Sequence, residues 1–179
     1  MLKQSRLESL TDGIFAIVMT LLIIEINLKG LSFNANDHEL IKFLWKIFPF
    51  FVSYILTFTI LFVYWRAHHY ITSFAKNIND TLSTLNGLFL LFVGLTPFST
   101  HFLGIFTYSK IAIILYGINM ILISLSLLII RIYIRQSKNI INENISVDSE
   151  IRGMMRIITP LILFVGASII AFFDTKIPI

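Results

Sequence analysis

Residues 6–28, RLESLTDGIFAIVMTLLIIEINL, decide how the chain is read. The run is long enough to cross a bilayer, since about 20 mostly apolar residues span the hydrocarbon core. Yet it opens with Arg6, Glu8, Thr11 and Asp12. A charged group near mid-membrane costs roughly 2.5–3.5 kcal/mol, so such residues face protein or water rather than lipid. At the helical repeat, Gly13, Ile17, Thr20, Leu21, Ile24 and Leu28 share one side, and Asp12 points away from it, roughly 140° from Ile17. One face is therefore apolar with a single hydroxyl, and another carries an acid.

Composition sets the class. Of 179 residues 56% are hydrophobic and 13% charged, whereas a soluble domain carries about 25% charged residues. The chain is read as an all-α integral membrane protein, a single transmembrane domain over residues 1–179 with no separate soluble domain. It has no cysteine, which excludes disulfides, thiolate metal sites and cysteine nucleophiles. The first apolar run is too long for a cleaved signal peptide.

Outward from the first span, 29–37 is a loop with Gly30, Asn34 and Asn36 as breakers. A second helix starts near His38, is amphipathic at first, and is apolar from Ile47 to Tyr64, with Pro49 marking a kink. Trp45 and Trp65 sit at its two ends as interfacial aromatics. Residues 66–81 are polar. A third span covers about 82–103, where Thr96-Pro97 kinks it or ends it early, and a fourth covers about 110–133. After a polar loop over 135–152, a fifth runs from about Gly153 to Phe173 with Pro160 inside. Lys3, Arg6, Arg66, Lys76, Arg131, Arg135, Lys138, Arg152 and Arg156 fall on one side, against Lys29, Lys42, Lys46, Lys110 and Lys176 on the other. The positive-inside rule then places the N-terminus in the cytoplasm of a multi-pass protein of the cell membrane.

Three motifs stand out, each with a plain reading beside it. Arg6 with Thr11 and Asp12 is equally an interfacial arginine beside N-terminal helix residues or part of a polar network. His68 and His69 adjoin at a membrane edge, where histidines are commonly solvated. Neighbours on a helix diverge by about 100° and no third ligand is evident, so no metal site is expected. The Ile17, Leu21, Ile24 stripe, by spacing alone, is the pattern of packing.

The string Arg6-x-x-x-Leu10-Thr11-Asp12-Gly13 resembles the signature of the transmembrane-protein-175 family of potassium channels: Arg, three residues, then Phe-Ser-Asp. Leu10 stands for Phe and Thr11 for Ser. Trp65-Arg66-Ala67-His68-His69 is similar to the family's Trp-x-x-His-His, and Leu95-Thr96-Pro97-Phe98-Ser99-Thr100 to its Leu-Pro-Phe-Pro-Thr region. The resemblance implies a homotetramer in the lipid bilayer, with potassium the permeant ion, no cofactor and no nucleic-acid partner. It implies that first helices line the pore, that Ile17, Leu21 and Ile24 constrict it as a hydrophobic gate, and that Thr20 helps select ions. It also implies a structural polar network of Arg6, Thr11, Asp12, His68, His69 and Asn86, in which one histidine helps hold Asp12. Bacterial members have six helices against five here, which suggests that a last helix is absent from this sequence.

The chain carries no Thr-Val-Gly-Tyr-Gly filter, phosphate loop, nucleophile elbow or paired catalytic carboxylates, so an enzyme is not expected. Two other functions fit the residues. One is a small secondary transporter or proton carrier using Asp12 with His68 or His69. The other is a non-conducting scaffold.

Overall fold

The computed structural model describes residues 4–24, 26, 36–137 and 140. Within them the chain folds into five helices: α1 (Gln4–Ile24), α2 (Asp37–Thr72), α3 (Asp80–Gly94), α4 (Thr96–Ile105) and α5 (Lys110–Gln136). Four stretches are long and apolar enough to cross a membrane: Gln4–Ile24, Asp37–Thr72, Asp80–Ile105 and Lys110–Gln136. The expected fifth span, over 153–173, lies outside the described residues.

α2 and α3 begin where the sequence supplies a side chain for their first amides. Asn36 caps α2 through Glu39 N (2.9 Å), while Glu39 Oε2 accepts from Asn36 N at 3.1 Å. This reciprocal pair satisfies two donors that a helix start leaves open. Asn79 caps α3 by accepting from Leu82 N at 2.9 Å. Pro49 lies inside α2 without ending it. Pro97 acts differently. It sits in the first turn of α4, where its missing N–H is no loss, and the third span is broken at Leu95 into α3 and α4.

The second helix runs beyond its apolar part. The polar stretch after Tyr64 begins as helix, since α2 continues to Thr72. Ala67, His68, Ile71 and Thr72 are buried, so this last part of the helix has an inner face. The polarity of Arg66 and His69 belongs to its outer face.

The core is built from regular stripes. On α1 the buried residues are Leu7, Thr11, Phe15, Val18 and Leu22, one side of the helix at three- and four-residue spacing. The same core cluster holds Leu61 and Tyr64 of α2, Phe89 and Val93 of α3, and Met120, Ile123, Leu127 and Ile130 of α5. α1 contacts α2, α3 and α4. Its position on the bundle's side leaves the face opposite the stripe uncovered.

Candidate pore face and the polar cluster behind it

The uncovered face of α1 carries Ile17, Thr20, Leu21 and Ile24, all exposed, with Ile17 at 60% and Ile24 at 71%. At about 100° per residue the centre of this face lies roughly 130° around the helix from the centre of the buried stripe. Gly13 belongs to it too, and a Cβ there would meet nothing within 4 Å. Branched aliphatics this exposed are unpartnered within one protomer.

Thr20 has a defined orientation on that face. Its Oγ1 donates back to Ala16 O (2.9 Å) or Ile17 O (2.8 Å). A hydroxyl has one proton and two lone pairs. With the proton spent on the helix, the lone pairs are what remains for a partner outside it. The oxygen is thus arranged to accept, which suits a cation or a water molecule.

Behind α1 the structure brings together three of the predicted polar residues. Thr11 Oγ1 donates to Leu7 O at 3.0 Å, so it accepts from Asn86 Nδ2 at 3.1 Å. That orientation of the amide turns Asn86 Oδ1 toward His68 Nε2, 2.6 Å away. The oxygen must accept there, which puts the His68 proton on Nε2. All three residues are buried. The imidazole also stacks flat on Phe89 (5.0 Å, 7°), which in turn touches Phe15 of α1 (5.9 Å). Polar contacts and ring contacts together tie α1, α2 and α3 at one level.

Asp12 has a different partner from the one expected. Its Oδ1 accepts from Trp65 Nε1 at 2.8 Å, and neither histidine nor Arg6 is hydrogen-bonded or ion-paired with it among the described residues. His68 reaches the first helix through Asn86 and Thr11 instead. His69 is exposed and stacks on Trp65 at 5.9 Å, so it flanks the aspartate's partner. Arg6 is exposed at the start of α1. The physical reason is angular. His68 lies three residues beyond Trp65, which turns its ring inward to α3, while Trp65 lies over the flank where Asp12 emerges.

Sequence reasoning missed a second polar layer deeper in the bundle. Thr57 meets the Tyr116 hydroxyl at 3.0 Å and accepts from Thr100 at 3.2 Å. Asn119 Nδ2 donates to Ser99 Oγ at 3.1 Å, and Tyr64 pairs with Ser124 at 2.6 Å. The available signal was single polar residues inside apolar spans, which are buried and paired as a rule. Among the described residues no three His, Asp or Glu side chains gather as metal ligands.

The family description that matches this chain, "Endosomal/lysosomal potassium channel TMEM175", covers residues 6–97. That is half of the chain, and it contains the whole of α1 from Arg6 together with Trp65, His68, Asn86 and Pro97. The chain belongs to the TMEM175 family. A potassium channel of Chryseobacterium sp. (strain P1-3) is 29% identical over 119 residues, 66% of this chain and 58% of that protein. A potassium channel of Chamaesiphon minutus is 31% identical over 99 residues, 55% of this chain and 48% of the relative. The chain thus spans about half the length of the curated bacterial relatives it matches. The human endosomal/lysosomal proton channel TMEM175 is 32% identical over 101 residues, 54% of this chain and 20% of that protein. In fold, the chain is similar to the crystal structure of a lysosomal potassium-selective channel TMEM175 homolog from Chamaesiphon minutus. The TM-score is 0.80 at 22% identity, over 96% of this chain and 87% of the other.

Proposed function

We propose that this TMEM175-family chain is one subunit of a potassium channel, with four copies arranged around their first helices. The observation that carries the reading is the exposed face of α1. Ile17, Leu21 and Ile24 are exposed and lie outside the stripe that packs α1 into its own bundle, and a single lining helix per chain cannot enclose a pore alone. Rings of these aliphatics form a constriction that dewets when narrow and so gates. Thr20 offers lone pairs at one level of it. One ring of hydroxyls replaces less hydration than stacked carbonyl rings do, so selectivity for potassium over sodium is moderate. The N-terminus is cytoplasmic, in the cell membrane.

The reading as a proton carrier built on Asp12 and His68 has less support. The two side chains belong to separate hydrogen-bonded groups. The partner of Asp12 is an indole N–H, which donates but has no lone pair with which to pass a proton on. Flux through purified protein in liposomes tests both. A channel passes potassium rapidly down its gradient and sodium more slowly, with a rate that does not saturate at millimolar ion. A saturating, proton-coupled flux, or none, would overturn the proposal.

A further inference from the structure

On the flank of α1, away from the Ile17 face, a groove of about 320 Å³ opens between α1 and α2. Asp12, Phe15, Ala16 and Met19 form one wall, and Phe58, Phe62 and Trp65 the other. Its volume is that of a small-molecule site, at the lower end. Its chemistry is lopsided in an informative way. The surface is apolar except at one end, where the Asp12 carboxylate sits, and Trp65 Nε1 holds that carboxylate through Oδ1 alone. The second oxygen keeps its acceptor capacity. Phe58 and Phe62 are 38% and 44% exposed, and Phe62, one turn from Trp65 along α2, is the nearer of the two to the carboxylate.

An acyl chain would fill the apolar length of such a groove but leave the carboxylate without a counter-charge. A cation with an apolar body meets both parts. The positive head sits against Asp12 and Phe62, whose ring quadrupole attracts cations, and the tail runs along Ala16, Met19 and Phe58. We propose that this groove binds an alkylammonium cation, a site separate from the conduction path and independent of whether the protein conducts. The head-group chemistry is shared by free cationic amphiphiles and by choline lipids.

Trp65 reports on its own groove. The chain has two tryptophans, and Trp45→Phe leaves Trp65 as the only indole. In dodecyl maltoside micelles a neutral twelve-carbon tail is already in large excess, so any saturable change in Trp65 emission on adding dodecyltrimethylammonium reflects the charged head. The expected result is saturable binding, weakened about tenfold by Asp12→Asn, as loss of a close opposite charge implies, and a few-fold by Phe62→Leu, which keeps the carboxylate. Because the Phe62 ring stacks on Trp65 at 5.7 Å, dissociation constants and not emission amplitudes are compared. Size-exclusion profiles identify any variant that misfolds, and the Phe62 arm decides the matter if Asp12→Asn does. Dodecylphosphocholine distinguishes the source: equal affinity assigns the site to a choline lipid, weaker affinity to a free cation. An unsaturable response, or equal binding by wild type and both folded variants, would overturn the proposal and leave the groove to acyl chains. No response at all in an intact tetramer would overturn it in favour of a neighbouring subunit covering the groove.

Discussion

Trp65 Nε1 and Asp12 Oδ1 are 2.8 Å apart, a hydrogen bond between residues 53 positions distant in the chain. It joins the second helix to the flank of the first, at the border between the exposed α1 face and the buried polar cluster. Both residues stand in the motifs that define the family in this chain. The pairing gives the acid in the span a partner on the neighbouring helix, and it adds to the buried stripe in fixing the rotation of α1.

That bond predicts coupling. Trp65→Phe and Asp12→Asn should each lower the thermal unfolding midpoint in detergent. Charged hydrogen bonds are worth roughly 1.5–3 kcal/mol when sheltered, and this one is partly open, so about 1 kcal/mol is expected for each. The double variant should lose less than the sum. Strict additivity would show that the two side chains do not act as a pair.

Asn86→Leu should be the more damaging change. It leaves His68 Nε2–H without a partner in a buried site and places an apolar side chain against it, while the Thr11 hydroxyl keeps its bond to Leu7 O. A stranded buried donor costs roughly 1–3 kcal/mol, and the leucine cannot fill the amide's shape without shifting its neighbours. Thr11→Ala, which strands only one amide hydrogen, should cost less. Thermal unfolding of both variants checks the order, and Thr11→Ala proving the worse would contradict the described chain of donors.

Ile17→Asn should change the protomer's stability little, because Ile17 is 60% exposed and outside the buried core of its own bundle. In the proposed tetramer it adds four hydrogen-bonding side chains to a dry constriction, so basal flux should rise and cation discrimination weaken. If Ile17 instead packs between copies, the same change strands amides at about 1–3 kcal/mol each. The product would then be poorly assembled and silent, which liposome flux with a size measurement distinguishes.

Thr20→Val should lower the potassium-over-sodium permeability ratio, since it keeps the shape and removes the lone pairs. Thr20→Ser should retain the ratio, because a serine hydroxyl bonds back to the helix in the same way. Reversal potentials under bi-ionic conditions give the comparison. An unchanged ratio in the valine variant would remove this hydroxyl from selectivity.

Gly104→Ala probes the packing of α4 on α2. A Cβ at Gly104 would stand 2.6 Å from Phe50 Cδ1, so the ring must move or the helices part. Overpacking of this kind typically costs about 1–3 kcal/mol. The unfolding midpoint should fall accordingly, and Phe50→Leu in the same chain should recover part of the loss.

Much was legible in the sequence because membranes impose simple rules. Apolar length located four described spans, since the bilayer's thickness fixes how many residues must avoid water. The period of α1 separated the Ile17 side from the Asp12 flank, and the Arg6 to Gly13 string led to the family. Thr11, Asn86 and His68 stood within a wider set of six polar residues that the family resemblance implied, and the structure joins these three. What local chemistry left open was which atoms meet. Trp65 read as an interfacial anchor, and nothing in its neighbours told that its indole N–H would reach Asp12 on another helix. The choice between His68 and His69 depended on how far α2 continues past Tyr64, and that depends on burial of Ala67 and Ile71 against other helices. The layer of Thr57, Tyr116 and Thr100 joins three helices through residues up to 59 positions apart. Hydrogen bonds are short and directional, so their pairing follows from the mutual rotation and depth of packed helices, which only the tertiary structure decides.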